Sequence, residues 1–132
     1  MYEYNATYIE NYDGDTVKFL IDLGFGISNK IMVRLRNIDC IEIIDPNYRK
    51  DTTYTQAELD LFSTNRDKAL KAKLWVEEKL TGAYSITVKT YKDKKEKYGR
   101  YLADVVVYDI SGNCIDLVTE LKEEIPDTLK GS

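Results

Sequence analysis

The sequence predicts an α+β fold, a small five-stranded barrel with two helices, on three observations. Five runs rich in β-branched and aromatic residues are separated by turn formers. A capped segment of helix formers stands between the third and fourth runs. A short amphipathic segment follows the fifth and is stopped by Pro126. At 132 residues, one domain spanning 1–132 is expected, with enough chain to bury a core.

The elements follow in order. "YEYNATYIENY" (2–12) alternates loosely and is rich in Tyr, Thr and Ile, so it reads as a strand. "TVKFLIDL" and "KIMVRLRNI" read as the second and third strands, with "GFGISN" as their hairpin loop. Thr55 and Glu58 form a capping box, and helix formers then run to Leu80. This stretch reads as one long helix or as two, split at "STN" (Ser63–Asn65) with Thr64 as a second N-cap. Ala69, Ala72, Val76 and Leu80 recur at three- or four-residue steps and predict a buried face. "YSITVKTY" and "RYLADVVVY" are the fourth and fifth strands, joined by the basic connection "KDKKEKYG". Ile115, Val118, Leu121 and Ile125 mark the last helix. A helix between the third and fourth strands of a five-stranded barrel is the OB-fold arrangement, although other small α+β sheets share this order.

Composition narrows the chemistry. There is no histidine, which excludes Ser-His triads, imidazole general bases and zinc sites that need imidazole. Hydrolysis here must rest on carboxylates, arginines, tyrosines and a hard cation. The net charge of −4 argues against broad electrostatic capture of nucleic acid. Basic residues are nevertheless concentrated in "KTYKDKKEKYGR" (Lys89–Arg100). No window is apolar enough for a membrane span, and no secretory signal is visible, so a cytoplasmic protein is expected unless a leader has been trimmed. Cys40 and Cys114 have no metal-ligand spacing and read as two free thiols.

Carboxylates and arginines then converge. With the hairpin loop centred near Ile27, Asp15 is expected to face Asp39 across the hairpin mouth, about 5 Å away. Two carboxylates that close repel unless one is protonated or a cation lies between them, and an oxygen-only site suits Ca²⁺ or Mg²⁺. Glu42, three residues past Asp39, is close enough to join. Arg34, Arg36 and Arg100 supply candidate phosphate ligands, since guanidinium pairs bidentately with phosphate oxygens. Arg34 and Asp39 share a phosphate only if the chain bends after Leu35. Arg36 reads as a solvated or paired surface residue. Asp13, in "DG", reads as a turn residue.

"DGDTVKF", "RLRNIDCIE" and "KYGRYLA", in that order, resemble the staphylococcal nuclease (thermonuclease-like) family over roughly Ala6 to Leu121. The resemblance implies a Ca²⁺-dependent phosphodiesterase on an OB-fold barrel, cutting DNA and RNA and leaving 3′-phosphate ends. By that likeness Asp15, Asp39 and the main-chain carbonyl of Cys40 hold Ca²⁺, and Arg34 and Arg100 grip the scissile phosphate. Glu42 positions or activates the attacking water, Lys97 and Tyr98 bind a neighbouring phosphate, and Leu102 forms part of a base pocket. Single-stranded DNA or RNA is the favoured partner. The chain departs from the family in three ways: Cys40-Ile41 replaces a Thr-Pro pair, a helical insertion is expected at about 43–68, and the usual third C-terminal helix is missing. A homodimer or the inserted helix is expected to cover the barrel in its place. The rival reading is an OB barrel that binds single strands or a protein without cutting.

Overall fold

The computed structural model describes residues 2–41, 55–95 and 99–130. Its strands are β1 (Tyr2–Asn11), β2 (Thr16–Gly24), β3 (Ile27–Leu35), β4 (Ser85–Lys95), β5 (Tyr101–Tyr108) and the short β6 (Cys114–Asp116). The helices are α1 (Gln56–Thr81), between β3 and β4, and α2 (Leu117–Glu124). β1 pairs with both β2 and β4, β5 pairs with β4, and a parallel contact from Val33↔Tyr101 to Leu35↔Ala103 joins β3 to β5. That last contact closes β1 to β5 into a five-stranded barrel, which removes the exposed edges an open sheet would carry. β6 adds to the outer side of β5.

Alternation along the strands fills the interior. Val17, Phe19 and Ile21 of β2 meet Val33 and Leu35 of β3 and Val88 and Val105 of β4 and β5, all fully or almost fully buried. The expected stripe on α1 is the buried one: Ala69, Ala72, Val76 and Leu80 face inward. Thr55 caps α1 by accepting from the Glu58 N–H at 3.2 Å. The helix runs unbroken through Ser63–Asn65, the long form of the two expected. Thr64 Oγ1 donates back to the Asp60 carbonyl at 3.0 Å, a bond made inside a continuing helix. The part of the expected insertion at 43–54 lies outside the described residues. Among the described residues no helix is long and apolar enough to cross a membrane.

The β2–β3 register differs from the expected one. The hairpin turns on Phe25 and Gly26 alone, both at positive φ (55° and 74°), as a type I′ turn requires. Thr16 therefore pairs with Arg34, and Leu35 donates to the Asp15 carbonyl at 2.8 Å. Asp15 comes level with Leu35, not Asp39. β4 also extends further than expected, to Lys95, and Ile115 belongs to β6 instead of the last helix.

After α2 the chain makes one 3₁₀ turn, Pro126–Thr128, and returns to the barrel rim. There Ile41 N–H donates to the Thr128 carbonyl and Lys130 N–H to the Asp39 carbonyl, both at 2.9 Å. Thr128 is fully buried, and Lys71 pairs with Asp127 at 3.2 Å. The tail thus adds a short antiparallel bridge to residues 39–41.

Candidate active site

The β1–β2 connection is held rigidly before it presents anything. Asn11, buried at the end of β1, donates through Nδ2 to the Lys73 carbonyl of α1 at 2.9 Å and to the Asp13 carbonyl at 3.1 Å. Asp13 Oδ1 accepts the main-chain N–H groups of Asp15 and Thr16 at 3.0 and 2.8 Å, so this carboxylate forms the turn. Gly14 passes between Cys40 and Ala72 so closely that a Cβ there would lie 2.7 Å from the Cys40 sulfur. Only glycine fits, and the Asp15 side chain emerges at a fixed point.

Asp15 is 5% exposed. Its Oδ2 accepts the Cys40 N–H at 3.1 Å, and its Oδ1 lies 3.4 Å from Thr16 Oγ1. Burial pushes its carboxyl up from the ordinary 3.8 to about 7, helped by the hydrogen bond and charge of Asp13. The Cys40 N–H and the Arg34 charge act in the opposite sense but do not prevail.

Arg34 stands at the end of β3, and the chain does bend beyond it. Arg36 N–H donates to the Ala103 carbonyl at 3.0 Å, and Asn37 takes φ 65°, a left-handed conformation that asparagine tolerates. The bend brings Asp39 back to Arg34, whose Nη2 lies 3.3 Å from Asp39 Oδ1 and 3.9 Å from Asp15 Oδ2. One guanidinium therefore bridges the two carboxylates. Asp39 reaches the cluster through this bend and not through the strand register.

Arg100 enters from the β4–β5 connection and donates through Nη1 to Thr16 Oγ1 at 2.9 Å. Thr16 thus links Arg100 to Asp15. Leu102 is paired in register with Arg34 and is partly exposed beside it. Glu42, Lys97 and Tyr98 lie outside the described residues. Ile41, the neighbour of Glu42, is fixed by its bond to Thr128.

Two participants escaped the sequence reading. Thr16 is visible only as the residue beside Asp15, and its role depends on the β2–β3 register. Lys130 lies 3.6 Å, through Nζ, from Asp39 Oδ1, and the tail that carries it has no periodicity pointing to this place. Arg36 is engaged elsewhere: it donates to Asp104 at 3.3 and 3.4 Å and to the Tyr91 hydroxyl at 3.0 Å, and stacks 4.1 Å above the Tyr91 ring.

The donor set fits a hard cation better than a soft one. The Cys40 thiol is buried and pushed up to about 12, by burial first and then by Asp15, Asp13 and Asp39, so it stays protonated. Its main-chain groups are another matter. The Cys40↔Leu129 bridge uses hydrogen bonds of the flanking residues, so the N–H of Cys40 is left to serve Asp15. Arg34 already occupies the position of a positive charge between two carboxylates. Among the described residues no three carboxylate or thiol groups are arranged to hold a metal ion, and the carboxylates that Arg34 joins are two, Asp15 and Asp39. The surface grooves along α1 and across β1 include none of these residues. No family model matches the chain, and no curated protein matches it.

Proposed function

We propose that this protein is a Ca²⁺-dependent phosphodiesterase of the thermonuclease-like kind, built on an OB-fold and acting on single-stranded DNA or RNA with little sequence preference. The observation that carries the reading is the convergence of three segments distant in sequence. Asp15 from the β1–β2 loop, Arg34 from β3 and Arg100 from the β4–β5 connection meet on one rim, where Arg34 touches both carboxylates and Thr16 ties Arg100 to Asp15. In OB barrels the strand 2–3 face and the loops between strands 1–2 and 4–5 are where nucleic acid binds.

A calcium ion held by Asp15, Asp39 and a main-chain carbonyl near Cys40 would supply charge stabilisation to the phosphoryl oxygens. The chain's own groups do the rest. Arg34, released from the carboxylates, offers a fork to two phosphate oxygens, and Arg100 offers a second from the opposite side of Thr16. Arg100 is held by Thr16 before substrate arrives, which is the condition under which charge is worth most in a transition state. Asp15 holds the Cys40 main chain in place through its buried carboxylate. By the family resemblance Glu42 directs water in line with the departing 5′ oxygen, leaving 3′-phosphate. Bases pass beside the partly exposed Leu102, which gives apolar contact without readout of base edges.

Heat-denatured DNA, incubated with Ca²⁺ and separately with excess chelator, tests the reading on a gel. Degradation that needs Ca²⁺ and disappears in Arg34→Ala and Glu42→Ala proteins is expected. Retention of DNA without cutting would favour a module that binds single strands, and neither effect would overturn the enzyme reading in favour of a barrel that binds a protein.

A further inference from the structure

We infer that Lys130, on the C-terminal tail, is a third phosphate-binding cation of this site, and that it exchanges Asp39 for substrate when the metal binds. The inference rests on the proposed phosphodiesterase reading and adds to it a positioning residue outside the three sequence motifs.

The main chain fixes where Lys130 begins. Its N–H is bonded to the Asp39 carbonyl, Thr128 two residues earlier is buried, and the Ile41 N–H holds the Thr128 carbonyl. The ammonium group then lies 3.6 Å from Asp39 Oδ1, the oxygen that Arg34 Nη2 approaches to 3.3 Å. One carboxylate oxygen serves two cations. A divalent ion that takes this oxygen displaces both from it and repels both at short range. Lys130 therefore opposes the ion when the ion binds alone. Once the ion is bound, the rim carries an excess of positive charge, and an anionic phosphate is the group that relieves it. Lysine suits this exchange, since its flexible stem and point charge can leave one oxygen for another without a bidentate geometry.

Lys130→Ala therefore has effects of opposite sign on two equilibria. Calorimetry at low ionic strength, with the full chain, measures Ca²⁺ uptake alone and then, at saturating Ca²⁺, uptake of a short single-stranded phosphorothioate oligonucleotide. The variant is expected to bind Ca²⁺ about twofold to fivefold more tightly and the oligonucleotide about twofold to fivefold more weakly, the range of an exposed ion pair. Lys130→Arg, which keeps the charge, should follow the wild type, and Lys122→Ala, a change to an α2 lysine, should move neither equilibrium. Changes of the same sign, or no change in either titration, overturn the role of Lys130 while leaving the enzyme reading intact. Wild-type protein that takes up neither Ca²⁺ nor oligonucleotide overturns the enzyme reading itself, and this inference with it.

Discussion

Asp15→Asn should make the metal-free protein more stable at pH 8, although it alters a buried and hydrogen-bonded side chain. The carboxyl is pushed from 3.8 to about 7 by burial and by Asp13, so its charged form is poorly tolerated in the fold. At ~1.4 kcal/mol per pKa unit the ceiling on that penalty is about 4 kcal/mol. An amide is itself desolvated on burial, which leaves a gain of about 2 kcal/mol. The amide also keeps the bonding: its oxygen can accept the Cys40 N–H, and its NH₂ can donate towards Asp13.

The pH dependence identifies the cause. The wild-type carboxyl binds its proton more tightly folded than unfolded, so folding takes up a proton between about pH 4 and 7. The stabilisation from protonated Asp15 is complete below about pH 4 and is lost as the pH rises through 7. The variant lacks this dependence, so relative to wild type it goes from about 2 kcal/mol less stable at pH 4 to about 2 kcal/mol more stable on a plateau above pH 7. Urea denaturation followed by circular dichroism, in chelator, reads it directly; thermal melts should differ by about 5–8 °C at pH 8. On the proposed reading, Ca²⁺ should reverse the order, because a ligand at 100 times its Kd would add about 2.7 kcal/mol to wild type and nothing to the variant. A variant less stable than wild type at pH 8 in chelator, or an advantage equally large at pH 4.5, would refute the reasoning.

Arg34→Ala and Arg100→Ala should each lower the rate on denatured DNA by about 10²–10³, as loss of one preorganised donor does elsewhere, measured as initial release of acid-soluble nucleotide. Phe25→Asn should raise stability by about 1 kcal/mol, or several degrees in Tm. Phe25 sits at φ 55° with its side chain fully exposed, so the change relieves backbone strain and loses no packing. A thiol-reactive dye at pH 8 should modify one cysteine of the native protein, the exposed Cys114, and both only in denaturant, because Cys40 is buried and held protonated.

Much of the framework was legible because it rests on local signals. The Thr55 cap, the Ala69-Ala72-Val76-Leu80 stripe and the five strand runs follow from capping and periodicity alone. The bend after Leu35 was legible as a requirement: Arg34 and Asp39 cannot meet on a straight strand. What failed depended on long-range pairing or on equivalent local signals. Phe25 gives no hint of a two-residue turn, so local signals centre the loop near Ile27 and set Asp15 opposite Asp39 instead of Leu35. Thr64 has the side chain of an N-cap, and only the continuing helix decides that it bonds backwards. Lys130 and Thr16 acquire their partners through the return of the tail and the strand register, neither of which has a sequence period.

Arg34 also bears on how an acidic chain could hold an anionic polymer. In the metal-free protein its guanidinium lies between Asp15 and Asp39, so the rim is close to electrically balanced and has little attraction for a phosphate. The overall charge of −4 adds nothing in its favour. On the proposed reading, Asp15 and Asp39 would hold a divalent ion in place of the guanidinium, and Arg34 would be free to serve as a donor to phosphate. Ion and phosphate should therefore bind with positive coupling, each raising the affinity of the other by the same factor. On the proposed reading, capture of nucleic acid would depend on the occupied rim instead of a basic surface, and equal oligonucleotide affinity in Ca²⁺ and in chelator would contradict it.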